Sequence, residues 1–553
     1  MIILNPKMKM DRIERKISEL GYAQTECREN ILTVSVPKEK AYEIAAMLCH
    51  EENFDFLFDI VGMDYGDSLG VIYYLSQSSS PRNMLALKTG VDNRENPELF
   101  SVHDLWDSAN IYEREVYDFF GIRFINHPDM RRIFLRADWK GYPLRRDYDA
   151  DPAVNPVPLE NELLEDMETV PSVSMIMGEK TESVHKLFDN SEYIINFGPQ
   201  HPATHGVLHL RISLDGEIIS KIDPNFGYIH RGIEKMCESY TYPQILHLTD
   251  RLDYLSGTIN RHAVCLCCEK ALGIEVPQRA VYVRTVIDEL TRIASHLIGW
   301  GSMCMDMGAV TAFMYGLRDR EKIMDIFEET SGGRLMVNYN VIGGLANDIH
   351  PDFRKKTKEF IPYMRKMLKE HHLLFTGNPI ARGRMHGIGY LSREQAVSLG
   401  ATGPSGRASG WHNDIRKIEP YAAYDKVDFE EVTHAGGMTF DRYLIRLEEI
   451  EQSLRIIEQL IDNIPEGACR EKTKAVIRLP EGEFFQRVEN ARGQFGVHIT
   501  SKGDKNPYRV KFRSPSLVLV GALKTIATAP RTKVADLIML GGSLDYVIPC
   551  IDR

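Results

Sequence analysis

Residues 151–190 divide this chain. Nine acidic side chains stand there against only Lys180 and Lys186, four prolines interrupt the run, and apolar periodicity is weak. Such a composition buries too little apolar surface to belong to a core, and it predicts an extended or partly ordered linker. Folding must then happen on either side of it. At 553 residues the chain is in any case too long for one ordinary core, and roughly 100–200 residues per domain gives two to four units.

Residues 1–150 predict an α+β domain. The run Ile31-Leu32-Thr33-Val34-Ser35-Val36 has strand composition and stops at Pro37, residues 38–49 look helical, and residues 54–58 and 70–75 look like further strands. Strands with a short helix between them predict a sheet covered on one side. From 191 onward a larger, mainly α unit begins with a β-hairpin or small sheet. Residues 193–197 lead into a glycine-bounded loop at 198–206, and residues 207–213 return as a strand. Beyond it Val286, Ile287, Leu290, Ile293, Ala294, Leu297 and Ile298 recur at three- and four-residue steps. Phe440, Tyr443, Leu444, Leu447, Ile450, Leu454, Ile457 and Ile461 do the same, and long amphipathic helices of this kind pack as a bundle.

Charge narrows the partners. With 67 basic and 78 acidic side chains the formal charge is −11, which argues against nucleic acid. No apolar run approaches the roughly 20 residues needed to cross a bilayer; the longest, at 517–523, is far shorter. The N-terminus does not fit a secretory signal. The chain therefore reads as cytoplasmic and without a transmembrane segment, and any work at a membrane falls to partners. Its nine scattered cysteines suit a reducing compartment. Cys265, Cys267 and Cys268 lack a second pair for a four-ligand site and read as small apolar residues in a helix seam. The phosphate loop, the zinc helix, the serine nucleophile elbow and the dinucleotide fingerprint are all missing, so NAD binding by this chain is not expected.

Three segments carry candidate chemistry. His201 and His205 lie four apart in the 198–206 loop, where two imidazoles can transfer protons, bind a metal, hydrogen-bond a polar ligand or only brace the loop. Asp250-Arg251-Leu252-Asp253-Tyr254 gathers two carboxylates, a guanidinium and a phenol ahead of an apolar helix. A phenol donates a hydrogen bond and, where phenolate is stabilised, a proton. The alternative is a capped helix start with Asp250 and Arg251 in solvent. Asp306 ends a strongly apolar helix, either exposed there or buried against a partner such as histidine.

These segments occur in an order and spacing that resemble the D (49-kDa) subunit family of respiratory complex I. The likeness runs from Gly198-Pro199-Gln200-His201-Pro202-Ala203-Thr204-His205-Gly206 through His230-Arg231-Gly232 and Asp250-Arg251-Leu252-Asp253-Tyr254. It continues in Met305-Asp306-Met307-Gly308, Asp414-Ile415-Arg416-Lys417 and Ile551-Asp552-Arg553. Glu113-Arg114-Glu115-Val116-Tyr117-Asp118-Phe119-Phe120-Gly121 and His127-Pro128-Asp129-Met130-Arg131-Arg132 are similar to the C (30-kDa) family. The whole resembles a C–D fusion, with 1–150 C-like, 151–190 the joint and 191–553 D-like.

The resemblance implies a fold similar to the nickel–iron hydrogenase large subunit, and a quinone headgroup held between His205 and Tyr254 with Asp306 pairing the histidine. It implies cofactor-facing roles for His201 and Arg231, and a [4Fe–4S] cluster in a neighbouring subunit as the electron source. It also implies the B and I iron–sulfur subunits and the H membrane subunit of complex I as partners, on the cytoplasmic face of the bacterial inner membrane, with quinone reduction coupled to ion translocation. Where the family carries a protonatable histidine near the cluster this sequence has Met336, which favours menaquinone as substrate. Hydrogenase activity itself is disfavoured, because residues 251–256 lack cysteine and Cys550 is at most one of two C-terminal thiolates. A related complex fed by ferredoxin or a deazaflavin, and a purely structural scaffold, stay open as alternatives.

Overall fold

The computed structural model describes residues 6–28, 31–151, 153–154, 169–176, 178–189, 191–201 and 204–553. The chain forms two compact units. The first is Met1–Ile194 with Asn225–Tyr228 and Val397–Gly400; the second is Ile195–Pro224, Ile229–Ala396 and Ala401–Arg553. The architecture is mixed α and β, with a sheet domain first and a mainly helical one after it.

In the first unit a five-stranded sheet has the order β1-β2-β5-β4-β3. Its strands are β1 (Gln24–Arg28), β2 (Ile31–Val36), β3 (Phe56–Asp64), β4 (Leu69–Gln77) and β5 (Ser80–Val91), accompanied by helices α1 (Pro6–Ser18), α2 (Lys38–His50) and α3 (Ala109–Phe120). Strands β2 and β5 run parallel and the other neighbours antiparallel. Every residue of β3 and β4 is buried, so these strands are covered on both faces rather than on one. Their near-continuous apolar runs, without alternation, are what two-sided burial selects. Strands β6 (Glu98–Phe100) and β7 (Arg123–Ile125) pair in parallel beside α3. Asp118 of α3 accepts the backbone N–H groups of Ile133, Phe134 and Leu135 at 3.1, 2.8 and 3.0 Å, which ties the helix to the segment that follows it. In the acidic joint, residues 155–168 lie outside the described residues. Its C-terminal part is an antiparallel hairpin of β8 (Thr169–Ile176) and β9 (Glu179–Lys186).

The second unit opens with a three-stranded sheet of β10 (Tyr193–Phe197), β11 (His209–Asp215) and β12 (Ile218–Asn225). Helices α4 (Ile233–Ser239), α5 (Tyr242–Thr249) and α6 (Gly257–Leu272) follow, and then α7 (Gln278–Asp306), α8 (Val310–Ser331), a short pair β13 (Asn340–Val341) and β14 (Gly344–Leu345), and α9 (Phe353–His371). With α10 (Thr439–Ile461), helices α7, α8 and α9 close a four-helix arrangement in which each packs on two neighbours. The periodic residues named from the sequence face this core: Leu290, Leu297, Tyr443, Leu447, Ile450 and Ile457 are all buried in it.

A second core forms where α6 lies on a three-stranded sheet, β15 (Gly482–Asn490), β16 (Gly493–Ser501) and β17 (Arg509–Arg513), which the sequence pattern does not announce. Cys265, Cys267 and Cys268 sit in that seam. The apolar run at 517–523 belongs to a core helix, α11 (Pro515–Ala527), which packs with α12 (Leu537–Leu544) and α13 (Ile548–Asp552). Among the described residues no helix is long and apolar enough to cross a membrane.

Much of the charge buried in this unit is paired. Arg407, fully buried, bonds Glu449 at 2.6 Å and Glu489 at 2.7 Å, while Arg416 bonds Asp414 at 2.6 Å and Glu289 at 3.1 Å. Replacing Arg407 by Met leaves two carboxylates buried without their cation, an expected loss of about 3–5 kcal/mol. Chemical denaturation checks this, and Arg407→Lys should recover only part, since an ammonium does not match two carboxylates as a planar fork does.

Candidate functional site

The loop between β10 and β11 holds His205 by backbone constraints. Gly198 turns the chain with φ +84°, and a Cβ there would stand 1.9 Å from the Leu208 carbonyl oxygen, so only glycine fits. The buried Thr204 hydroxyl lies 2.8 Å from the carbonyls of both His201 and Gly206 and bridges them. His205 itself adopts φ 54°, a left-handed conformation that a non-glycine residue keeps only where its surroundings impose it.

Its imidazole meets the end of α7. His205 Nε2 is 2.8 Å from Asp306 Oδ2, with side-chain exposures of 19% and 6%. A carboxylate at a helix C-terminus faces the negative end of the helix dipole, so a cationic partner is favoured there. Burial pulls the imidazole down, but the Asp306 hydrogen bond and charge, aided by Asp545, outweigh it and leave His205 titrating above its ordinary value. Helix α12 closes over the pair at Gly542, where a Cβ would come within 2.7 Å of Asp306 Oδ2. Of the two places open to Asp306, an exposed helix end or burial against a histidine, the structure has the second.

Tyr254 lies half-buried in the turn between α5 and α6. Burial raises its phenol; Arg492 opposes this, while Asp253 and Asp545 reinforce it. Asp545 thus acts on both His205 and Tyr254, although it lies far from either in the sequence. It ends α12 in a left-handed conformation, φ 59°, and bonds Arg492 at 3.4 Å. Neither Asp545 nor Arg492 carried a sequence signal that would have placed it here.

The remaining candidates spread out. Asp250 is buried, not solvated: it accepts the Asn338 N–H at 3.1 Å, and burial lifts its carboxyl to about 6 against the pull of Arg261. Arg231 donates to the Arg251 carbonyl at 2.9 Å, and burial together with the Arg251 charge lowers its guanidinium. His201 is exposed, with its ring edge-on to Phe197 at 5.3 Å. Met336 is half-buried, and its carbonyl accepts from Asn338 at 3.0 Å. The Cys265 thiol is pushed up to about 12 by burial, as is that of Cys550, so neither is poised as a thiolate. Among the described residues no group of three or more His, Cys, Asp or Glu side chains is placed to hold a metal ion.

Two family models match the sequence. Residues 34–154 match the 30-kDa subunit of respiratory-chain NADH dehydrogenase, and residues 306–553 its 49-kDa subunit. The chain is 57% identical over 522 residues to the NADH-quinone oxidoreductase C/D subunit of Phocaeicola vulgatus, covering 94% of this chain and 99% of that protein. It is 55% identical over 518 residues to the C/D subunit of Bacteroides thetaiotaomicron, covering 92% and 97%. To the NADH-quinone oxidoreductase D subunit of Desulforamulus reducens it is 44% identical over 361 residues, covering 65% of this chain and 98% of that one.

The His205–Asp306 pair has a pH signature. A histidine raised on folding contributes stability that is complete below its unfolded value near 6.5 and lost as pH climbs through its folded value. Asp306→Asn should therefore destabilise by about 1–3 kcal/mol at pH 6 and by progressively less on the alkaline side, as followed by denaturation across pH.

Proposed function

The chain belongs to the respiratory-chain NADH dehydrogenase family in which the 30-kDa and 49-kDa subunits are joined, and from that premise we propose that it forms the quinone-reduction site of the complex. It is a subunit of an NADH-quinone oxidoreductase, an electron-transport enzyme. The observation that carries the site reading is the 2.8 Å contact of His205 with Asp306, together with a phenol, Tyr254, that answers to the same Asp545 charge.

Reducing a quinone to a quinol adds two electrons and two protons. As the electrons arrive, negative charge develops on both carbonyl oxygens, and each needs a positioned donor. His205, whose protonated form the neighbouring Asp306 favours, gives one proton from its imidazolium and is left as a neutral ring still oriented by the carboxylate. Tyr254 gives the other from its phenol. A [4Fe–4S] cluster in a neighbouring subunit supplies the electrons. In this reading Arg231, beside Arg251, supplies positive charge near that cluster, and the exposed His201 is a second polar contact for the headgroup.

On the same premise residues 1–150 act as the C-like docking domain, 151–190 as the joint and 191–553 as the D-like domain with a hydrogenase-type fold. The adjoining partners are the B and I iron–sulfur subunits and the H membrane subunit, at the cytoplasmic face of the bacterial inner membrane. Quinone reduction drives ion movement, of protons in this reading, through the membrane subunits. Met336 in place of an ionisable neighbour favours menaquinone.

His205→Ala and Tyr254→Phe should each lower quinone-reduction kcat by about 100-fold or more in membranes, the scale for losing one preorganised donor. Electron transfer from NADH to a soluble one-electron acceptor should not change. Normal quinone turnover in an assembled variant complex would leave the chain a scaffold.

A further inference from the structure

Arg492 occupies the turn between β15 and β16 and is fully buried. Its Nη1 lies 3.0 Å from Asp253 Oδ2, 2.7 Å from Ser295 Oγ and 3.3 Å from Ser256 Oγ, and its Nη2 lies 3.4 Å from Asp545 Oδ1. Among the described residues its Nε–H has no partner. Asp253 is the residue immediately before Tyr254. Asp545 is the carboxylate whose charge reaches both Tyr254 and His205. One guanidinium therefore ties the segment carrying the phenol to the C-terminal segment that closes over the His205–Asp306 pair.

Beyond holding the two carboxylates together, the Arg492 charge has a consequence for Tyr254. The charged groups that act on that phenol are Arg492, Asp253 and Asp545. Both carboxylates, like burial, favour the proton on the phenol oxygen, and among the described residues Arg492 opposes them. We infer that Arg492 is a positioning residue for proton donation, its fixed charge stabilising the phenolate left when Tyr254 gives its proton to the reduced quinone. In that step the phenol O–H bond breaks with its electron pair staying on the phenolate oxygen, and an O–H bond forms on the quinone oxygen. The phenolate then recovers a proton from water, and the two electrons come from the complex's own iron–sulfur donor. The inference rests on the reading of Tyr254 as a quinone-site donor.

The test separates charge from shape in the assembled complex. Arg492→Lys keeps the cation; Arg492→Gln keeps a hydrogen-bonding side chain of moderate length without charge. For Gln, kcat for quinone reduction should fall by about tenfold or more with KM within about twofold, and the solvent deuterium isotope effect should rise as proton donation becomes limiting. For Lys, kcat should stay within about threefold and the isotope effect should not move. A Gln complex with wild-type kcat, or Gln and Lys complexes that fall together at a wild-type isotope effect, would overturn the inference. If Gln does not assemble, Lys decides: an assembled Lys complex slowed tenfold or more overturns it. Tyr254→Phe measured alongside distinguishes the two readings. Full turnover there removes the site itself, whereas loss there with wild-type Gln removes only the role of Arg492.

Discussion

Charge buried along helix α7 holds the second unit in register. Arg284 bonds Glu269 at 2.7 Å and the carbonyls of Val341 and Gly344 at 2.6 and 2.8 Å. Asp288 bonds His262 at 2.6 Å, Glu289 accepts from Tyr424 and Ser453 at 2.6 Å each, Arg292 reaches the Glu489 carbonyl at 2.7 Å, and His296 bonds Glu449 at 2.8 Å. An uncompensated charge at any of these positions would destabilise the core by several kcal/mol, about 3–5 for a broken buried pair. A slide or rotation of α7 would break several at once. The helix is therefore fixed in both senses, and so is its last residue, Asp306.

That fixed end gives the site its precision. His205 arrives from a strained loop, Tyr254 from a helix junction, Asp545 from the end of α12, and Arg492 from a β-turn. None is held by its own local segment alone. The hydrogen-bonded His205–Asp306 pair and the Asp253–Arg492–Asp545 bridge are the two electrostatic anchors, and Asp545 links them because its charge reaches both the imidazole and the phenol.

What the sequence disclosed follows from range. Helices α7 and α10 announced themselves by 3.6-residue periodicity, and the histidine loop by its bounding glycines. Asp306 was visible as a carboxylate ending an apolar helix, although its fate there was open. Strands β3 and β4 were harder, because burial on both faces erases the alternation that marks a sheet side. The β15–β17 sheet escaped notice because charged Arg487, Glu489 and Arg492 stand in or beside it, buried through partners elsewhere in the chain. Asp253 and Arg492 are 239 positions apart, so no local pattern announces their contact. The Asp250 carboxylate was open between a solvated helix start and a buried place for the same reason, and the structure buries it beside Arg261.

The central claim is that a quinone headgroup is protonated between His205 and Tyr254. A structure of the assembled complex with quinone bound tests it most directly. One quinone oxygen should lie within hydrogen-bond reach, about 2.6–3.2 Å, of the His205 imidazole and the other within reach of the Tyr254 hydroxyl. A headgroup seated elsewhere, with both side chains unengaged, would contradict it.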